Sequence, residues 1–151
     1  MESHTYNVQV KWSSDRKGIM SSPELDTTLE VATPPQFNKG MPGIWSPEHL
    51  YTAAVSSCFM TTFLAIAENL KFEFEQLDIE STGVLEMVEG KYLMTKVLLY
   101  PKLVIKNEQD REKALRVLHK SEAACLISNS VKAVVEMTPV VTIVDTAPQQ
   151  I

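Results

Sequence analysis

The chain has 151 residues, a formal net charge of −5, 44% hydrophobic residues and only 7% aromatics. That length can bury a real core in one domain without disulfide staples. An acidic balance with no Lys/Arg block argues against nucleic acid as the main partner, leaving small solutes or another protein.

Near the N-terminus, Met1-Glu2-Ser3-His4 opens no basic segment followed by an apolar run, so no secretory signal is expected and a cytoplasmic setting with reduced thiols is. Alternation of Tyr6, Val8, Val10 and Trp12 predicts a first strand, followed by a polar turn at Ser13–Lys17 and a second strand over Gly18–Ser22. After Pro23-Glu24, the run Leu25, Thr27, Leu29, Val31 predicts a third strand and hence a meander. Prolines and glycines keep the stretch from Thr33 to Trp45 irregular, and loops of that length in a compact domain usually have a function.

Ser46-Pro47-Glu48 is a helix start: a serine N-cap, a proline at the first helical position and an acid near the positive end of the dipole. The helix should run to about Asn69. From Leu50 to Ala67 it carries no charge, yet Thr52, Ser56, Ser57, Thr61 and Thr62 make it too polar for a membrane span. It reads as a central helix, covered by a sheet and by a second subunit.

Two long strands, Leu77–Met87 and Lys91–Ile105, should be joined by a turn at Glu89-Gly90. Asn107 is placed to cap a second helix from Glu108 to about Ala124, with an apolar stripe at Ala114, Leu115 and Leu118. Cys125 follows at a break, Ser128–Val131 reads as a short extra helical turn, and Ala133–Val144 as a closing β run. The order βββ-α-ββ-α-β is an α+β arrangement in a single domain, with a core of about 4–145 and a flexible tail over 146–151.

The two cysteines stand 67 positions apart (125 − 58), too far for a local redox loop, and His4, His49 and His119 add no zinc-type spacing. Small buried hydrophobes are one account of them, since free cysteine often is one. A working sulfur pair is the other. No glycine-rich phosphate loop is present.

In Ser46-Pro47-Glu48-His49-Leu50-Tyr51 with Cys58 seven residues on, in Cys125 with Ser128-Asn129-Ser130, and in an arginine of the first hairpin, the chain resembles the OsmC/Ohr family of osmotically inducible and organic-hydroperoxide-resistance proteins. The likeness covers Tyr6 to about Val144. It implies an intertwined homodimer with two sites and a thiol-dependent peroxidase of organic hydroperoxides. It also implies a reactive Cys58, a resolving Cys125, and no cofactor beyond an external dithiol or dithiol protein as reductant. Leu126 departs from the pattern, because relatives commonly carry proline directly after the second cysteine, which would pre-set the start of the short helix.

Peroxide reduction needs a thiolate, and an unperturbed thiol with a pKa of about 8.5 is only a few per cent ionised at pH 7, so something positive is expected beside Cys58. Of three arginines, Arg111 and Arg116 read as surface charges on a solvated helix, while Arg16 matches the family position and would hold thiolate and hydroperoxide oxygens together. Glu48 serves the helix dipole on the simplest account; in the family pattern it orients the arginine. Ten residues (58 − 48) at about 1.5 Å each separate Glu48 and Cys58 by roughly 15 Å, so Arg16 is expected to meet the Cys58 of one subunit and the Glu48 of the other.

His49 falls on the face opposite Cys58 and reads as a structural or surface histidine. Tyr51, Val55 and Thr62 share the Cys58 face, and with Phe59, Met60, Phe37, Met41 and Trp45 they are candidates for an apolar substrate pocket, although such residues are usually core. A pocket of that kind favours alkyl or lipid hydroperoxides over hydrogen peroxide by about 0.8 kcal/mol per buried methylene. The rival reading is a ligand-binding or stress-response module that uses the same cavity without turnover.

Overall fold

A computed structural model describes residues 2–144; the tail expected to be flexible lies outside them. Two compact units divide the chain at Leu50 and Tyr51.

The first unit is an antiparallel meander of β1 (Gln9–Ser14), β2 (Lys17–Ser21) and β3 (Leu29–Ala32) in that spatial order. Asp15 and Arg16 make the first turn, with Asp15 at φ +47° and its carbonyl accepting from the Trp12 indole at 3.0 Å. The first strand begins later than the alternation suggests, because the ladder starts at Gln9 opposite Ser21 and leaves Tyr6 and Val8 unpaired and exposed. The third strand likewise begins at Leu29 rather than Leu25. Beyond β3, successive turns return the chain so that Trp45 bridges Val31 and accepts a bond from the Ala32 N–H at 2.8 Å.

Helix α1 (Pro47–Asn69) begins where Ser46 caps it: Ser46 Oγ accepts from the His49 N–H at 3.1 Å, and the Ser46 carbonyl accepts from the Leu50 N–H at 2.9 Å. The same hydroxyl pairs with His49 Nδ1 at 2.7 Å, and the His49 ring meets Trp45 edge-on.

In the second unit, β4 (Gln76–Val88) and β5 (Lys91–Ile105) form a long hairpin whose turn residues, Glu89 and Gly90, hold φ at +49° and +81°, as a tight two-residue turn requires. Along α1, Val55, Phe59, Phe63 and Ala67 recur every four residues and form a single buried stripe. The stripe joins Val97, Leu99, Leu103 and Ile105 of β5 and Ala114, Val117 and Leu118 of α2 (Arg111–Ala124) in one core. Each large side chain so buried contributes about 1.5–3 kcal/mol. Gly83 permits the close approach of helix and sheet, since a Cβ there would lie 2.0 Å from Thr52 Oγ1. Although α1 is long and apolar enough to cross a bilayer, its buried stripe makes it a core helix.

Three expectations need correction. Asn107 makes no side-chain cap: a 3₁₀ turn, Glu108–Asp110, intervenes, and α2 starts only at Arg111. Arg111 is more than a surface charge, for its guanidinium chelates Glu108 at 2.6 and 2.9 Å and donates to the Val141 carbonyl at 2.6 Å. The closing β run is two strands, β6 (Val134–Met137) and β7 (Val140–Ile143), both parallel to β5 and laid end to end along it. The break falls at Thr138-Pro139, and proline cannot donate to a ladder.

The outer face of α1 stays open and uncharged, with Met60 and Leu64 about two-fifths exposed. Trp12 on β1 and Met87 and Tyr92 at the far end of the β4–β5 hairpin are more exposed still.

Candidate active site

Cys58 lies on α1 and Cys125 in the extended residue (φ −64°, ψ 112°) between α2 and α3 (Leu126–Ser130). The local sequence builds this break. Asn129 donates its side-chain amide to the Ala123 carbonyl at 3.1 Å, tying α3 to the end of α2, and its backbone N–H bonds the Cys125 carbonyl at 3.0 Å. Ser130 Oγ returns to the Leu126 carbonyl at 2.7 Å, closing the short turn. Leu126 opens α3 without proline, so the helix starts one residue after the cysteine and two residues ahead of Ser128, where the sequence places it.

The fold brings the two free cysteines close enough that each shifts the titration of the other. Cys58 is partly exposed and lies 3.9 Å from Thr62 Oγ1, one helical turn on. Partial burial pushes its thiol up, but the N–H of Ile127, the Cys125 thiol, the Thr62 hydroxyl and the N–H of Leu126 together outweigh that and hold Cys58 below the ordinary thiol range. Cys125 is fully buried, with its sulfur 4.0 Å from the Val55 carbonyl. Burial pushes it up, against the pull of the Ser128 hydroxyl and amide, and the neighbouring Cys58 pushes it further up. One sulfur is therefore favoured as thiolate and its neighbour as thiol. That asymmetry suits a nucleophile paired with a second thiol that attacks later.

Within this unit the peptide N–H groups of Ile127 and Leu126 favour the Cys58 thiolate. Backbone donors carry no residue signature, so only the short helix directly after Cys125 could have signalled them.

Arg16 and Glu48 belong to the first unit. Arg16 is exposed on the hairpin turn, its carbonyl accepting from the Thr33 N–H at 3.2 Å, and it lines an open groove of about 460 Å³ with Trp12, Lys17, Val31, Thr33 and Pro47. Glu48 is half-buried in the first turn of α1. Phe37 and Met41 are half-buried on the irregular stretch, and Trp45 is exposed at its end. Tyr51 packs half-buried against the core. Phe59, proposed as a pocket wall, is fully buried in the core stripe, and packing accounts for it. Among the described residues, no cluster of three His, Cys, Asp or Glu forms a metal site.

Comparison with known proteins finds relatives of the same fold. The uncharacterised protein YmaD of Bacillus subtilis is 25% identical over 142 residues, spanning 91% of this chain and 93% of its own. An OsmC-like protein of unknown function from Vibrio cholerae superposes with a TM-score of 0.81 at 22% identity, covering 91% of this chain and all of that one. An organic hydroperoxide resistance protein, OsmC, from Legionella pneumophila gives 0.75 at 20% identity, over 94% and 99%. These likenesses show the shared fold, and the sequence profile of the OsmC-like proteins matches residues 40–139. The chain belongs to the OsmC-like protein family.

Proposed function

We propose that this protein is a cytoplasmic, homodimeric, thiol-dependent peroxidase that reduces organic hydroperoxides to alcohols in oxidative-stress defence. The observation that carries the reading is the contact between a lowered Cys58 and a raised Cys125. The Cys58 thiolate attacks the distal peroxide oxygen; the O–O bond breaks, and the alkoxide takes a proton and leaves as alcohol. Cys58 is then a sulfenic acid. Cys125 attacks its sulfur, forming the S–S bond while hydroxide leaves and takes the Cys125 proton as water. An external dithiol, or a dithiol protein, reduces the disulfide. No resident cofactor is required.

In this reading Arg16 steadies thiolate and alkoxide, Glu48 orients Arg16, and the two come together across a dimer. Phe37, Met41, Trp45 and Tyr51 wall the approach of the alkyl chain. The uncharged outer face of α1 and the exposed Trp12 and Tyr92 support assembly, because apolar surface of this kind marks an interaction site.

Thiol titration before and after one equivalent of cumene hydroperoxide tests the activity: loss of both thiols is expected. Cys58→Ser should abolish peroxide consumption, and Cys125→Ser should allow one turnover and stall. Retained peroxidase activity in Cys58→Ser rules the mechanism out, and two intact thiols in the wild type favour a binding module without turnover.

A further inference from the structure

Ser128 has no part in the scheme above, yet its Oγ is buried and, among the described residues, meets no partner in hydrogen-bond geometry. A buried hydroxyl left unpaired is costly, and the exceptions call for an explanation. Its place in the chain supplies one. Cys125 is the N-cap residue of α3, and Ser128 is the third helical residue, whose N–H ordinarily bonds the side chain of an N-cap residue. Here that bond is not made, because the Cys125 side chain forms no cap hydrogen bond. A neutral thiol is only a weak acceptor. The Ser128 hydroxyl and amide thus lie beside a sulfur that, in the reduced protein, does not engage them. The hydroxyl is completed by one event, the appearance of negative charge on Cys125, and a group matched to a species absent from the resting state acts on the step that forms it.

We infer that Ser128 serves the joining and parting of the two sulfurs: its buried hydroxyl donates a hydrogen bond to the Cys125 sulfur whenever that sulfur carries the negative charge. As the S–S bond forms, Cys125 gives up its proton and attacks Cys58, and the electrons of the breaking bond leave with the group displaced from Cys58. As it is reduced, an external thiolate attacks Cys58 and the S–S electron pair moves onto Cys125, which is then protonated. Ser128 transfers no proton in either direction. The direction of the Cys125 shift agrees, with burial raising it and the two Ser128 groups opposing. The inference rests on the reading above only for the identity of the oxidant.

Disulfide closure in the full chain tests it, driven in one arm by diamide and in the other by one equivalent of cumene hydroperoxide. Diamide captures Cys58 through an S–N bond that Cys125 then displaces, so that arm isolates the step without any peroxide chemistry. Ser128→Ala should close about three- to tenfold more slowly at neutral pH, the loss of one charge-assisted hydrogen bond damped by the accompanying rise in thiolate nucleophilicity. Its pH midpoint for closure should move upward, and Ser128→Thr should restore both. Thr against Val at this position repeats the comparison at equal size if alanine loosens the helix. Closure by Ser128→Ala at the wild-type rate, or a slower rate with an unmoved midpoint, overturns the inference. A midpoint shift with diamide while hydroperoxide is inert toward the wild type upholds Ser128 and removes the peroxidase instead.

Discussion

Cys58 and Cys125 shift one another's titration in opposite directions: the partly exposed sulfur is lowered, and the buried one, 4.0 Å from the Val55 carbonyl, is raised. That asymmetry is present in the resting protein. The sulfur that solvent reaches is the one whose anion is favoured.

The pH dependence has a definite sign. With its titration midpoint held below that of an ordinary thiol, Cys58 should react faster with iodoacetamide at neutral pH than a free cysteine does, and lose reactivity as pH falls through that lowered midpoint. Cys125 is raised and should react only as pH climbs past the free-thiol range. Site-resolved mass spectrometry of alkylation against pH measures both; a Cys58 midpoint at or above that of free cysteine contradicts the hydrogen bonds described.

Leu126→Pro removes a single N–H from beside Cys58. Proline fits the first position of a helix, and Cys125 already has the extended backbone that a following proline demands, so the fold should survive. Alkylation of Cys58 at neutral pH should slow by about two- to fivefold, as expected for one modest hydrogen bond. An unchanged rate means that the Ile127 amide, the Cys125 thiol and Thr62 suffice.

Two core substitutions probe the packing of α1 on the sheet. Phe63→Ala removes a fully buried ring stacked edge-on to Phe74 at 5.2 Å and should cost about 3–5 kcal/mol in denaturant unfolding. Gly83→Ala drives a methyl into Thr52 and within 2.8 Å of Met94 Cε, which should cost about 1–3 kcal/mol. Adding Thr52→Ala should return part of the second loss. A stable Gly83→Ala would show that helix and strand can part there at little cost.

Leu64→Glu places a charge on the open face of α1, where Leu64 is 43% exposed. In a homodimer built on that face, sedimentation should shift toward monomer while circular dichroism stays constant, and peroxide turnover should fall with it. Wild-type protein sedimenting as a monomer at every concentration, with full activity, sinks the shared-site reading.

Local signals carried most of the fold. Ser46-Pro47 marked the start of α1 to the residue, and Glu89-Gly90 marked the hairpin turn, because capping and left-handed turns depend on residues adjacent in the chain. Partners remote in sequence were not legible. Tyr6 and Val8 alternate like strand residues but have no strand opposite, and the parallel pairing of β6 and β7 with β5 leaves no trace in their own residues. The meeting of Cys58 with Cys125 followed from family resemblance rather than from spacing. The amides of Leu126 and Ile127 escaped notice since every residue but proline has one.

The Arg111 clasp has a consequence for the molecule's behaviour in concentrated solution. β7 lies at the margin of its sheet, where an unsatisfied backbone invites a foreign strand to add on, and the Val141 carbonyl is already occupied by the guanidinium. A side chain anchored through Glu108 thus occupies one acceptor of that border, which an incoming strand would have to displace.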